Sequence, residues 1–524
     1  MIKRLLSLAV ALMLPFLAAA QTLTGSLESN SIYDHGENSP YKGFHSNNYL
    51  KLNWHQGRFS AGLQGEWYPS PLPGYDVNLQ GVCLPIKYVA WQEETWSVTA
   101  GDFYEQIGSG ILFRSWEDRN LGLANSIGGV RFKGIIPNLG LSGTVFSGVP
   151  RSALSYAPTL VSGADLNTGL IPLVGDVLLT LGGSILHRYE WAPDGDLALL
   201  LGEDAPRSVL LHSFRTQLFL SDGITVSAEY VGKSKDFTPV RHIGASDTYE
   251  LQPGHAFYTE VSWIWDNLSL TASWRYLDNM AFRARRTLGT IVPSNTLNYL
   301  PALCQEQTYM LAGLNPYETF AEGESGFRGD LYYRFRRGSL LGGKYGMSFH
   351  VGGSWINALG KVLPRRDHDY LAYRDLNLEL KRKWSRSFQT TLFVSIQENS
   401  PTHGNRNATE AQNVFVLETH YNFSPTTSLR TELQYLYSQE REKDWVAGLV
   451  ELGIAPSWSF SVSDMYNHGS SREHYWNVSA SWSRNQFKCI FGYGRSREGM
   501  VCSGGVCRWQ PEYKGAIVRL QYAF

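Results

Sequence analysis

One pattern constrains this chain more than any other: apolar residues fall at every second position over stretches of about ten residues, repeatedly. In the last stretch Ala516, Val518, Leu520, Tyr522 and Phe524 share one face, with Arg519 and Gln521 on the other. Leu429, Thr431, Leu433, Tyr435 and Tyr437 repeat it, as do the runs Phe415 to Phe423, Leu268 to Tyr276 and Phe59 to Trp67. A period of two marks a β-strand with unlike faces. A soluble sandwich alternates too, but in shorter strands whose apolar face packs between two sheets. Stretches of this length, often ending in Trp or Tyr, match the span and interfacial girdles of a transmembrane β-barrel.

Composition agrees with that reading. Charged residues make up 18% of the chain, against about 25% in ordinary soluble proteins. The 51 Gly, 16 Trp, 29 Tyr and 24 Phe suit tight turns, pleated strands and girdles. Mean hydropathy is −0.23, near neutral because lipid-facing and lumen-facing residues average out. Net charge is −1, and loss of Lys3 and Arg4 with a leader leaves 44 basic against 47 acidic residues. No basic stripe appears, so nucleic acid is not an expected partner.

The N-terminus reads as a leader. Lys3 and Arg4 precede an apolar run from Leu5 to Leu17, and Ala18-Ala19-Ala20 fits a small-residue cleavage site. The apolar run is shorter than the roughly 20 residues of a spanning helix. No Cys follows the cleavage site, which argues against a lipoprotein. No later segment is apolar enough for a spanning helix, so a membrane protein of this sequence must be a closed barrel. The expected organisation is a signal peptide, 1–20, and an all-β outer-membrane barrel, 21–524, in a Gram-negative bacterium.

Connections alternate in length. Gln56-Gly57, Pro137-Asn138, Asp222-Gly223, Asp266-Asn267 and Arg484-Asn485 are tight hairpin signals. Long polar connections are expected near 34–46, 68–83, 235–254, 278–327, 357–373, 399–412 and 496–512. Short turns face the periplasm in such barrels and long loops face outward. The expected fold is a large antiparallel barrel of about 24 strands, with 22 the next choice because 103–176 lacks clean alternation. Strand pattern begins at Thr22, which leaves no room for an N-terminal plug domain. A barrel this wide is filled some other way, or it conducts. The segment 102–131 and the loop 278–327 are the candidate fillers.

The run Gly101 to Arg119 is dense in glycine and charge. Glu105, Arg114, Glu117, Asp118 and Arg119 are candidate lumen or constriction residues, since Arg facing lipid near the midplane costs about 2–4 kcal/mol. The competing reading is a salt-bridge network that props the wall. Tyr522 and Phe524 form a candidate assembly signal for the barrel-assembly machinery. Cys502 and Cys507 flank Ser-Gly-Gly-Val and are a candidate disulfide, Cys83 and Cys304 a second candidate pair, and Cys489 a small apolar residue. No C-x2-C or neighbouring His pair suggests a metal, and no cofactor is expected. Enzyme motifs are missing: Gly108-Ser109-Gly110 is not a nucleophile elbow, and no H-E-x-x-H occurs. Gly338 to Lys344 approaches a phosphate-cradling loop, but Tyr345 stands where Ser or Thr should hold Mg²⁺. Glu418 and His420 share a predicted lumen face and read as solvated side chains rather than a catalytic pair.

The run Gly101 to Ile127, with Asn298-Tyr299-Leu300-Pro301-Ala302-Leu303 and Gly338 to Gly346, resembles an uncharacterised outer-membrane barrel family of Gram-negative anaerobes. The resemblance covers the whole mature chain and implies the fold; the family brings no activity with it. The expected function is a channel or transport protein for small polar solutes. The alternatives are a non-enzymatic scaffold that docks surface or secretion partners, with a surface or periplasmic protein as the partner, and, for want of a motif, a distant third, a barrel lipase or protease. Expected partners are outer-membrane lipids and, during biogenesis, the assembly machinery.

Overall fold

The computed structural model describes residues 22–524 except 38, 193–205, 221–222, 242–246, 287–294, 362–367, 401–409, 441 and 504–505. The expected leader, 1–20, and Asp222 therefore lie outside the described residues. Alternating sequence becomes strand throughout, and helical structure among the described residues is limited to short 3-10 turns. The main sheet holds 26 strands. Two of them, Ser155–Tyr156 and Ile171–Pro172, are short spurs; the other 24 form the barrel. Each pairs antiparallel with its neighbour in sequence, and the first, Thr22–Asp34, closes on the last, Tyr513–Ala523. The described barrel strands thus form a closed ring with no open edge toward lipid, as lipid demands.

The faces sort as the alternation requires. Leu63, Val145, Phe214, Leu433 and Phe491 are exposed on the outside, forming an apolar band. Exposed aromatics flank it: Trp67, Tyr189, Phe327 and Trp355 toward the long loops, Trp96, Trp265, Trp384 and Trp458 toward the short turns. Asp266-Asn267 and Asn485-Gln486 are two-residue turns, each opening on a residue of positive φ. The closing seam ends on Phe524, whose backbone exchanges hydrogen bonds with Gly25 (2.8 and 2.9 Å). A Cβ at Gly25 would stand 2.3 Å from the Phe524 ring, so glycine leaves the place where that ring lies.

One expected loop is corrected. The region 235–254 is mostly strand: Ile224–Arg241 and Asp247–Trp265 run 18 and 19 residues. That exceeds the roughly 9–11 residues a tilted strand needs to cross the membrane, so this hairpin continues past the outer rim.

Candidate functional site

Two connections at the long-loop end fold into the lumen. The first, 104–126, leaves the strand Trp96–Phe103 and returns at Ile127–Ile136. The second links Leu268–Asp278 to Gly323–Phe335. They meet through backbone hydrogen bonds. The stretch 280–284 pairs with 295–299 through Ala284 N–H to Asn295 O (2.7 Å) and Leu297 N–H to Phe282 O (2.9 Å). The first segment adds on through Arg114 N–H to Leu297 O and Tyr299 N–H to Gly110 O, both 2.9 Å. Asn298 locks the junction, donating to Ile111 O (3.1 Å) and Met280 O (2.7 Å).

The junction has a dry core. Ile111, Leu112 and Phe113 pack with Phe282 and Leu297 against inward-facing Phe146, Leu186, Leu211, Val231 and Leu277 of the wall. At this junction, therefore, the wall carries apolar side chains on its inward face as well as its outward one, interspersed with the buried charges described next. The second segment then crosses to the opposite wall. Leu311 N–H donates to Gln434 (3.0 Å), Gln397 to Ala312 O (3.1 Å), and the Tyr309 ring packs at a tilt against Phe393, 5.1 Å between centres. Arg497, from the last long loop, donates to Leu314 O (2.9 Å).

Buried charges tie these segments down. Arg275 and Glu324, each 1% exposed, pair where the second segment leaves and rejoins the wall. Arg275 also donates to Pro301 O, and Glu324 accepts from the Tyr317 hydroxyl and from Phe320 N–H (2.9 Å). A few strands along the same wall Arg188 pairs with Asp236 (3.2 Å) and donates to Arg283 O (2.9 Å), while Arg286 pairs with Glu190 (2.7 Å). Lys233 is fully buried and donates to Ala281 O (2.8 Å). The sequence reading singled out none of these charges. Their signal, a charge on the inward face near a long loop, also describes any solvated lumen side chain.

The five candidate residues all stand on the first inward segment, but they do not form one cluster. Glu105 leaves the others and pairs with Lys133 (2.8 Å) and Arg131 (3.2 Å) of the adjoining strand. Arg114 lies over the Trp116 and Tyr299 rings, 4.9 and 4.3 Å from their centres. Glu117 and Arg119 pair at 3.0 Å, and Arg119 reaches Glu28 at 2.5 Å. Burial disfavours charge on Arg119, but Glu117 and then Glu28 outweigh it and hold its pKa above the ordinary value. Asp118 caps its own turn, accepting from Asn120 and Leu121 N–H. Glu418 pairs with Arg430 (3.1 Å) rather than His420. Cys502 and Cys507 are bonded across the hairpin of the last long loop. Cys83 and Cys304 are free thiols, and burial, then nearby Asp375, pushes the Cys304 thiol up.

The short-turn half of the lumen differs. Its inward side chains over the last strands are small and polar, with Ser459, Ser461, Ser463, Ser479 and Ser481 half-buried. An open hollow of about 670 Å³ lies among the short turns at that end, lined by Ser428, Ser459, Ser481 and Ser483 together with Phe423 and Trp458 among others.

The model of the Family of unknown function (DUF6029) matches residues 1–524. The chain belongs to that family. No curated protein matches it. Among solved structures, this DUF6029 member is similar to the P pilus usher (PapC) translocation pore, with TM-score 0.45, 10% identity, and 96% of this chain and 99% of that one covered. It is also similar to OccK8 (OprE) of Pseudomonas aeruginosa, with TM-score 0.41, 10% identity, and coverage of 85% and 98%. The outer membrane transporter YddB from Escherichia coli gives TM-score 0.40, 8% identity, and coverage of 96% and 81%. The closed sheet, the outward apolar band and the paired aromatic girdles make this DUF6029 chain an outer-membrane barrel.

Proposed function

We propose that this chain is an outer-membrane channel or transport protein for small polar solutes, with passage controlled by its own inward segments. One observation carries the reading: two segments meet across the outer half of the lumen, while the inward side chains of the last strands, toward the other mouth, are small and polar. A barrel built only as a wall has no use for segments fastened across its lumen. Arg114, Glu117 and Arg119 then stand on the closing element, where lumen charge sets the local potential. The same reading takes 1–20 as a cleaved signal peptide, 21–524 as the barrel, and Tyr522 and Phe524 as the signal for the assembly machinery.

The outer closure also favours a second reading, a scaffold that docks partners and conducts nothing. Purified protein in planar bilayers, probed with a series of neutral solutes of increasing size, separates the two. A transport protein gives discrete conductance steps with a sharp size cut-off, rising when a fastening residue is removed. A folded barrel that stays silent with those residues removed is a scaffold.

A further inference from the structure

The periplasmic mouth is strongly polarised by charge. Between the strands Gly323–Phe335 and Met347–Ala358 runs the connection 336–346, which contains the stretch Gly338 to Gly346. It is far longer than the two-residue turns Asp266-Asn267 and Asn485-Gln486 on the same side. Arg336 pairs with Asp266 at 2.6 Å, which puts it level with the tip of that short turn. The residues after Arg336 therefore stand beyond the turn, in water. At their apex Leu340 is 96% exposed and Leu341 51%.

The base of this connection is fastened and basic. Lys383 N–H bonds to Gly346 O (3.1 Å), and Gly343 N–H to Ser339 O (2.9 Å), so the tip is a compact fold. Arg334, Ser348 and Lys381 stand in one row across three strands. Lys381 and Lys383 share the face of Asn377, which binds Gln307 of the second inward segment (3.1 Å), so both lysines face the lumen mouth. Arg334 shares the face of Arg328, which donates to Cys304 O inside the lumen. Arg337, Lys344 and Arg386 are exposed alongside, and neither 331–346 nor 381–388 contains an acidic residue.

We propose that this loop and the basic row beside it are a docking site for an acidic protein segment carrying apolar side chains, presented from the periplasm. Two leucines held in water are unfavourable until something covers them. The patch keeps an excess of positive charge, although Arg336 is paired with Asp266 and Glu379 lies beside Lys381 on the same face, so it favours a negative partner and repels a basic one. The partner is a protein segment rather than the inner phospholipid leaflet because Arg334, Lys381 and Lys383 face the mouth. A lipid surface lies outside the wall and does not reach them; a chain seated on the mouth does. The site is independent of whether the barrel conducts.

The test uses the full chain in its own outer membrane, with Leu340→p-benzoylphenylalanine and irradiation of intact cells. The expected product is a protein adduct whose crosslinked peptide is acidic. Its yield falls at least about tenfold in the Lys381→Glu, Lys383→Glu background, since like charge then faces the partner. Heat-modifiable migration confirms that the variant barrel is folded. In parallel, a synthetic peptide of alternating Glu and Leu is titrated against purified protein in phosphatidylcholine nanodiscs. Binding that weakens about tenfold with added salt or with the charge reversals supports the site. A phospholipid adduct alone, a protein adduct indifferent to charge reversal, or a peptide bound no better than its Gln-Leu analogue overturns it.

Discussion

Glu324→Gln is the most incisive perturbation of the closure. The carboxylate is 1% exposed and holds three donors: the Arg275 guanidinium, the Tyr317 hydroxyl and the Phe320 amide. Glutamine keeps the volume and removes the charge. Arg275, equally buried, is left without its counter-ion. Removing one partner of a buried pair costs about 3–5 kcal/mol. The loss falls on the inward segment more than on the wall. Tyr317 and Phe320 belong to that segment, whereas the flanking strands are joined by backbone pairing from Leu268↔Tyr333 to Asp278↔Gly323. At about 1.4 kcal/mol per factor of ten, the seated state weakens by roughly two to four orders of magnitude. Limited proteolysis of the folded barrel should then cut within 295–322 far faster than in the parent. Bilayer recordings should show a higher open probability. Heat-modifiable mobility should be unchanged. If cleavage rate and conductance both stay at parental values in a folded barrel, Glu324 does not fasten the closure and the energetic argument fails.

Arg114→Ala and Arg119→Ala should shift reversal potentials under a salt gradient toward cations. Stability should change by only about 0–1 kcal/mol for Arg119, whose pairs are partly solvated. Gly25→Leu should slow assembly, as should deletion of Phe524, because the new side chain takes the space of the terminal ring; overpacking costs about 1–3 kcal/mol, and heat-modifiable yield reports it. Cys502 and Cys507 should resist alkylation until reduced, and buried Cys304 and Cys489 should stay unlabelled by polar reagents in the folded protein, checked by mass spectrometry. A tag in 399–412 should be labelled on intact cells and one at Asp266-Asn267 should not, since the long connection faces outward.

Strand content, strand faces and the alternation of short and long connections were legible in the sequence because each is a local property. The side chains of a strand point to alternate sides, so Leu429 to Tyr437 announce their face without any knowledge of their neighbours. Turn residues such as Asp266-Asn267 mark reversals for the same reason. The segments that fold inward were also legible as candidates, because 102–131 and the loop 278–327 lacked a strand pattern in a barrel with space to fill. How they close the lumen was decided only in three dimensions. Phe146, Leu186 and Leu211 look in sequence like ordinary wall residues, and only the segment packed against them shows why their inward face is apolar. Arg275 and Glu324 stand 49 residues apart, Asn298 and Ile111 187. The expected charge cluster of Glu105 to Arg119 dispersed for the same reason. Glu105 took Lys133 of the adjoining strand, and Arg119 added Glu28 of the first strand to its neighbour Glu117, because the closed barrel brought those groups near. Pairing over such separations is set by closure of the whole sheet, a cooperative event that no local pattern encodes.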